Sequence, residues 1–336
     1  MDYEEKETGE RVIDKVLKRL TPENIQKQIQ EIQTIELPPD IQKWVEEYEK
    51  VGQRNRFFWR WLYFANQIIV FPEVPSEYQE SLRETKTLFN MFLALLDDVA
   101  DKMLNKKLLS ELLKIPFNPK QIQLSELNPQ EKLYLEFTKK LWSGIYGEIK
   151  RYPKYEELSN VFEFDVSQLL NAMQYAYMVN KNPNLINKTE YWIYLSHNMQ
   201  AIINLTLDLI CLSRFDPHKI GILREIAWET QKMARIGNWA STWEREIEDK
   251  DFTSGIFAYA IHSGAINPEQ LVQLNTTTLV QKIQSLNIEK ILWDEWEKSY
   301  TTIKNLGIRA ELEKIPIFLN ALEKLLFLHL SSRGLK

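Results

Sequence analysis

Phe92-Leu-Ala-Leu-Leu-Asp97-Asp98-Val-Ala-Asp101-Lys102 is an apolar helical run that breaks without warning into three carboxylates. Asp97 and Asp101 stand four residues apart, so on a helix they share a face about one turn from each other. Carboxylates at the edge of an apolar wall repel one another unless a positive group sits between them. A hard divalent cation meets that need, because it takes oxygen ligands and readily shares them with a phosphate.

Working outward, every neighbouring segment reads as helix. Pro72 and Pro75 mark a turn, and Ser76 begins a helix that runs to about residue 104 and carries the aspartates. Upstream, residues 41–70 read as a helix or helix pair with a dense aromatic face. Downstream, helices are expected over about 106–114, 129–150, 154–180, 189–213 and 217–250, with shorter helical pieces to residue 332. No strand-period alternation, internal repeat or low-complexity tract interrupts them. With 10 glycines in 336 residues and 44% hydrophobic content, the composition also favours helix. The expectation is an all-α single-domain bundle over residues 41–336. Residues 1–40 form a charged N-terminal extension, a frayed or loosely packed helix followed by a linker.

Several function classes are disfavoured. A net charge of −5 speaks against nucleic acid as a partner, since phosphate backbones demand a basic face. A single cysteine, Cys211, excludes an internal disulfide and fits a reducing compartment. The acidic N-terminus has no signal-peptide pattern, and no run of 18 apolar residues is present, so no membrane span is expected. A cytoplasmic monomer or homodimer is the resulting expectation.

A second oxygen-bearing stripe lies at Gly237-Asn238-Trp-Ala-Ser-Thr242-Trp-Glu-Arg245-Glu246. Asn238, Thr242 and Glu246 repeat every four residues. Each step drifts by only about 40° on a helix, so amide, hydroxyl and carboxylate share one line. That is a ligand set for a hard cation, and Arg245 beside it can reach an anion held by the same metal.

Together the two stretches resemble class I terpene synthases, bacterial type. Asp97-Asp98-x-x-Asp101 resembles their DDxxD motif. Asn238-x-x-x-Thr242-x-x-Arg245-Glu246 resembles their (N/D)xxx(S/T)xx(K/R)E motif. The motifs stand in the family's order, 141 residues apart, and the likeness covers roughly residues 50–335. Near the end, Phe327-x-His329-x-Ser-Ser-Arg333-Gly334 is similar to the family's closing Arg-Tyr, with Gly334 in the tyrosine's place. One departure stands out. The region where many bacterial members carry a diphosphate-sensing Arg reads Tyr191-Trp-Ile-Tyr-Leu-Ser-His197-Asn198-Met-Gln-Ala and holds none.

The resemblance implies Mg²⁺, three ions with the substrate diphosphate, held by Asp97, Asp98 and Asp101 on one side and Asn238, Thr242 and Glu246 on the other. It implies Arg245 and Arg333 as catalytic groups on the diphosphate. The substrate would be a polyprenyl diphosphate, with geranylgeranyl diphosphate favoured and farnesyl diphosphate next. Ionisation would be followed by cyclisation and by quenching through deprotonation or water. Phe89, Phe92, Trp59, Trp61, Trp192, Tyr194 and Trp239 are candidates for an aromatic pocket wall that excludes water and steadies a cation. His197 and Asn198 join them as pocket candidates, a satisfied polar pair being their plainer role. A chain-elongating prenyl diphosphate synthase needs a second aspartate-rich motif, which the Asn/Thr/Glu stripe is not. A di-iron bundle needs Glu-x-x-His pairs, which no histidine supplies. A non-catalytic helical binding protein leaves both ligand stripes unexplained.

Overall fold

The computed structural model describes residues 9–213 and 216–335. Among them it contains helices and no strand. In chain order these are α1 (Val12–Lys18), α2 (Pro22–Thr34), α3 (Pro39–Tyr48), α4 (Arg56–Ile68), α5 (Ser76–Asp97) and α6 (Lys106–Leu112). Then come α7 (Pro129–Ile149), α8 (Tyr155–Lys181), α9 (Lys188–Ile193), α10 (Ala201–Ile210) and α11 (Ile220–Asp249). The chain closes with α12 (Gly255–His262), α13 (Pro268–Gln273), α14 (Thr276–Ser285), α15 (Ile288–Arg309) and α16 (Ile315–Ser331).

Asparagine is this chain's usual helix starter. Asn55, Asn105, Asn128, Asn187, Asn267 and Asn275 each accept a backbone N–H in the first turn of α4, α6, α7, α9, α13 and α14. Each satisfies a donor that the helix itself leaves open, typically worth about 1 kcal/mol. At α7 and α13 a proline in the first turn and a reciprocal capping box reinforce the start.

Helix α11 packs along α10, α15 and α16, α8 packs on α10, and α5 lies against α4 and α7. The N-terminal segment expected as a frayed helix and linker forms two helices that dock on this bundle. Both α1 and α2 lie on α16, with Ile13, Val16 and Ile32 fully buried. Between α5 and α7, Phe89, Phe92 and Trp142 make a tight aromatic cluster with centroids 4.8–6.0 Å apart. Truncating one such phenylalanine would cost about 3–5 kcal/mol.

Two local departures from regular helix bear on the site. The turn after α5, Asp98–Lys102, is a π-turn, so the aspartate stretch straddles a change of helical pitch. The long helix expected over 189–213 is broken. Its first piece, α9, gives way to a 3₁₀ turn over Leu195–Met199, and α10 starts after Gln200, whose φ is 61°. A left-handed glutamine needs compensation. Its side chain supplies it, donating to the Lys86 carbonyl (3.2 Å) and to Asn204 Oδ1 (2.8 Å) from a fully buried position.

Candidate active site

One cavity of about 180 Å³ opens between α4, α5, α11 and α16, and both oxygen-bearing stretches line it. Helical phase explains why. On α5 and the turn after it, Asn90, Leu93, Ala94, Asp97 and Asp101 form one stripe at spacings of three and four. On α11 the stripe is Thr230, Ala234, Asn238, Thr242 and Glu246, with Arg235 and Arg245 on its flank. On α4 it is Phe58, Trp61, Leu62, Ala65 and Asn66.

At the aspartate side the residues divide by role. Asp97 Oδ2 accepts from Arg54 Nη2 at 2.9 Å, and Asp101 Oδ1 accepts from Asn180 Nδ2 at 3.0 Å. Asp98 turns away from the cavity. It accepts from Arg54 Nε at 2.9 Å and from the Tyr48 hydroxyl at 3.2 Å. Burial works against the charge of Arg54, but Asp98 and Asp97 more than offset it and hold the guanidinium above its ordinary range. Arg54 therefore anchors the aspartate turn.

Across the cavity, Thr242 Oγ1 donates to the Asn238 carbonyl at 2.8 Å, and Asn238 Oδ1 accepts from Arg235 Nη1 at 3.3 Å. Glu246 is buried, and its Oε2 finds no partner in the protein. Burial and then the charge of Asp251 push its carboxyl up to about 7. Burial likewise raises Asp97 and, more strongly, Asp101, with Asp251 adding to both. These carboxylates are destabilised by desolvation and by one another, which a shared cation reverses. Among the described residues no three His, Cys, Asp or Glu side chains converge as a preassembled metal centre. The donors instead form two half-sets, and the orphaned Glu246 oxygen and paired hard oxygens fit Mg²⁺ bridged by a further anionic ligand.

Two basic groups complete the rim. Arg245 lines the cavity and pairs with Asp249 at 2.5 Å, its Nε buried without a partner. Arg235 is buried beside Trp239, 5.2 Å from the ring centroid, and donates to the Thr253 carbonyl at 3.2 Å. Burial lowers its guanidinium, while Glu246, Asp97, Asp251 and Asp101 pull it back up. The Tyr191–Ala201 region holds no arginine, but Arg235 brings one to the same cavity from α11. It stands three residues before Asn238, so helical phase could have found it. Asp251, just past the end of α11, and Arg54, in the loop before α4, carry no such local signal.

The remaining candidates disperse. Arg333 pairs with Glu289 at 3.0 Å and lines a separate depression with Trp243 and Trp293. Trp61 and Asn198 line the cavity. Phe89 and Phe92 face Trp142 because they lie off the Asn90–Asp97 stripe. Trp59 is fully buried against Tyr48 and Phe58. Trp239 packs on Trp192, which donates to the Tyr259 hydroxyl at 3.1 Å. Tyr194 lies 40% exposed against Tyr175, and His197 packs on Trp228.

This architecture is the terpene synthase fold. The isoprene synthase from grey poplar leaves (Populus x canescens) superimposes with a TM-score of 0.58 at 16% identity, covering 94% of this chain and 53% of that chain. The same protein solved with three Mg²⁺ ions and dimethylallyl-S-thiolodiphosphate gives 0.57 at 16% identity, over 94% and 54%. The chain thus spans about half the length of the solved structures it matches. No protein-family model and no curated protein matches the sequence. At 16% identity the likeness carries the fold, and the chemistry has to be argued from the cavity.

Proposed function

We propose that the protein is a Mg²⁺-dependent terpene synthase that ionises an allylic prenyl diphosphate and converts the resulting carbocation. The observation that carries this reading is the meeting of the two oxygen stripes in one cavity, with Glu246 Oε2 buried and unpartnered there. Asp97 and Asp101 would hold Mg²⁺ from one side, and Asn238, Thr242 and Glu246 from the other. Bound Mg²⁺ supplies Lewis acidity and positive charge for the departing diphosphate. Arg235 and Arg245 donate to the same anion. Arg235 takes the place of the arginine missing between residues 191 and 201, since its Nε lies buried and free of partners on the cavity. Arg54 orients the turn through Asp97 and Asp98.

Below the rim, Phe58, Trp61, Leu62, Leu93 and Leu325 enclose the hydrocarbon chain and keep bulk water from it. The substrate is a C15 or C20 chain. The direct test is incubation of the purified protein with Mg²⁺ and the C5, C10, C15, C20 and C25 diphosphates in parallel, with products read by mass spectrometry. Cyclic or eliminated products that require Mg²⁺ are expected. A longer linear diphosphate formed with isopentenyl diphosphate would favour chain elongation instead, and no Mg²⁺-dependent turnover of any of them would refute the reading.

A further inference from the structure

The inner end of the cavity carries the polar residues Asn66, Asn90, Asn204 and Thr230 among Ala65, Ile69 and Ala201. On α5, Asn90 lies seven residues before Asp97, and on α11 Thr230 lies eight before Asn238. At about 1.5 Å per residue these groups sit roughly 10–12 Å further along than the rim ligands. Leu93, Ala94 and Ala234 separate the two levels.

Four buried amides close a ring at this inner end. Asn66 Nδ2 donates to Asn90 Oδ1 (2.8 Å), Asn90 Nδ2 to Gln200 Oε1 (2.7 Å) and Gln200 Nε2 to Asn204 Oδ1 (2.8 Å). Asn204 Nδ2 completes it on Asn66 Oδ1 at 3.5 Å. Asn66, Asn90 and Asn204 line the cavity. The amide nitrogens of Asn90 and Asn204 each keep one N–H that the ring does not use. Asn198 and Thr230 also line the cavity, and Asn198 Oδ1 and Thr230 Oγ1 are buried with no partner in the protein. Asn198 is 8% and Thr230 2% exposed. A hydrocarbon chain can satisfy none of these donors and acceptors, and buried polar groups in folded proteins find partners.

We propose that this polar floor retains water during turnover and that the water captures the carbocation, so that the product is a terpene alcohol. The proposal rests on the reading of the rim as a prenyl diphosphate ionisation site. Asn198 Oδ1 and Thr230 Oγ1 accept hydrogen bonds from the retained water. An oxygen lone pair forms the new C–O bond to the cationic carbon. The oxonium then loses its proton through neighbouring water to the diphosphate anion released in the same turnover. The net change is hydrolysis, with the leaving C–O bond at the diphosphate end, the new one elsewhere on the chain, and no redox step. The depth of the floor also fixes the position. C–C bonds of about 1.5 Å advance an extended chain by about 1.25 Å per carbon. The floor therefore meets a chain roughly eight to ten carbons from the rim, at the distal double bonds of a C15 or longer substrate.

The test is turnover of farnesyl and geranylgeranyl diphosphate by the full chain with Mg²⁺ in ¹⁸O-water, with products separated and weighed by gas chromatography–mass spectrometry. Wild-type protein is expected to give an alcohol two mass units heavier, with its oxygen away from the diphosphate-bearing carbon. Asn198→Ala and Thr230→Val are each expected to lower the ratio of alcohol to hydrocarbon by about tenfold, the effect of one lost hydrogen bond to the water. The ratio is read within one reaction, so it does not depend on how much of a variant folds. Hydrocarbon as the only wild-type product overturns the proposal and leaves the rim reading intact. So does an alcohol with oxygen on the diphosphate-bearing carbon, or a ratio unchanged in both variants. Failure to consume any diphosphate overturns both.

Discussion

Replacing Lys86 by methionine tests the frame on which the cavity floor hangs. Lys86 on α5 and Asp208 on α10 are 0% and 1% exposed and approach to 2.5 Å. Lys86 Nζ also donates to the Ile69 carbonyl at 3.1 Å, and Asp208 Oδ2 accepts from the Phe71 backbone N–H at 3.1 Å. The pair therefore joins α5, α10 and the turn after α4. The Lys86 carbonyl accepts from Gln200, and Asn204 lies one turn before Asp208, so the amide ring sits directly on this joint. Lys86→Met keeps the stem and removes the charge. It leaves Asp208 buried with one backbone donor, a change that costs about 3–5 kcal/mol. Unfolding entropy of about 2.1 cal/mol/K per residue, taken over 336 residues, converts this to a Tm lowered by roughly 4–7 °C near pH 8.

The pH dependence gives a second handle on the same variant. Burial raises the Asp208 carboxyl and Lys86 holds it down, so removing Lys86 raises it further. A carboxyl with a raised folded pKa binds its proton more readily folded than unfolded. The penalty is complete only above the folded pKa and shrinks as pH falls toward the ordinary carboxylate range. Thermal unfolding followed by circular dichroism should therefore show a smaller Tm difference from wild type at pH 5.5 than at pH 8. In the Lys86→Met/Asp208→Asn double variant most of the loss should return. A Tm drop under about 2 °C at pH 8 refutes the claim that this pair is a strong joint.

Other expectations follow from the same geometry. Asp97→Asn and Glu246→Gln should each cut kcat/KM by about 10²-fold or more while leaving Tm within a few degrees of wild type, as kinetics and thermal melts would show. Inorganic diphosphate with Mg²⁺ at about 100 times Kd should raise the wild-type Tm by roughly 4 °C, corresponding to about 2.7 kcal/mol. Mg²⁺ alone should do less, because each half-set by itself would leave the ion short of oxygen ligands that a diphosphate would supply. Gly255→Ala should lower Tm, since a Cβ there would lie 2.5 Å from the Trp239 ring, and overpacking of this kind costs about 1–3 kcal/mol. Burial, and then Arg224, lower the pKa of His197 against the pull of Asp165. His197→Gln should therefore remove part of the stability loss seen as pH falls from about 6.5 toward that lowered value, measured as Tm against pH.

What was legible in the chain is what helical periodicity encodes. Both oxygen stripes repeat at spacings of three and four that bring each of them to one helix face. The same periodicity could have sorted the aromatics. Trp61 shares the cavity face of α4 with Phe58 and Leu62, whereas Phe89 and Phe92 lie off the Asn90–Asp97 stripe and turn to Trp142. Arg235 was within reach of the same reasoning. The break at Gln200 was not, because its left-handed turn is held by Lys86 and Asn204, contacts that span 114 residues and 4 residues of chain. Arg54 reaches Asp97 across 43 residues from a loop. Arg333 follows the end of α16 and is drawn to Glu289, with Gly334 at φ 75° just beyond it.

The cavity orders its polarity in three levels, and the order bears on the chemistry proposed. Charge is confined to the rim, where Asp97, Asp101, Glu246 and Asp251 face Arg235 and Arg245. An apolar belt follows, with Leu62, Leu93, Ala94, Ala234 and Leu325 on it. Beneath that belt lie the amides of Asn66, Asn90 and Asn204, with Thr230. On the proposed reading, a cation moving inward from the rim would first cross an apolar belt that offers it no oxygen. Under the proposal, charge would migrate along the chain, by cyclisation or hydride shift, before water at the inner end captured it. If water were meant only to be excluded, leucine at 90, 198, 204 and 230 would do so without leaving buried donors and acceptors to satisfy. Asn90 on α5 and Thr230 on α11 lie two turns in from the rim ligands, which is where a positioned late capture would need them.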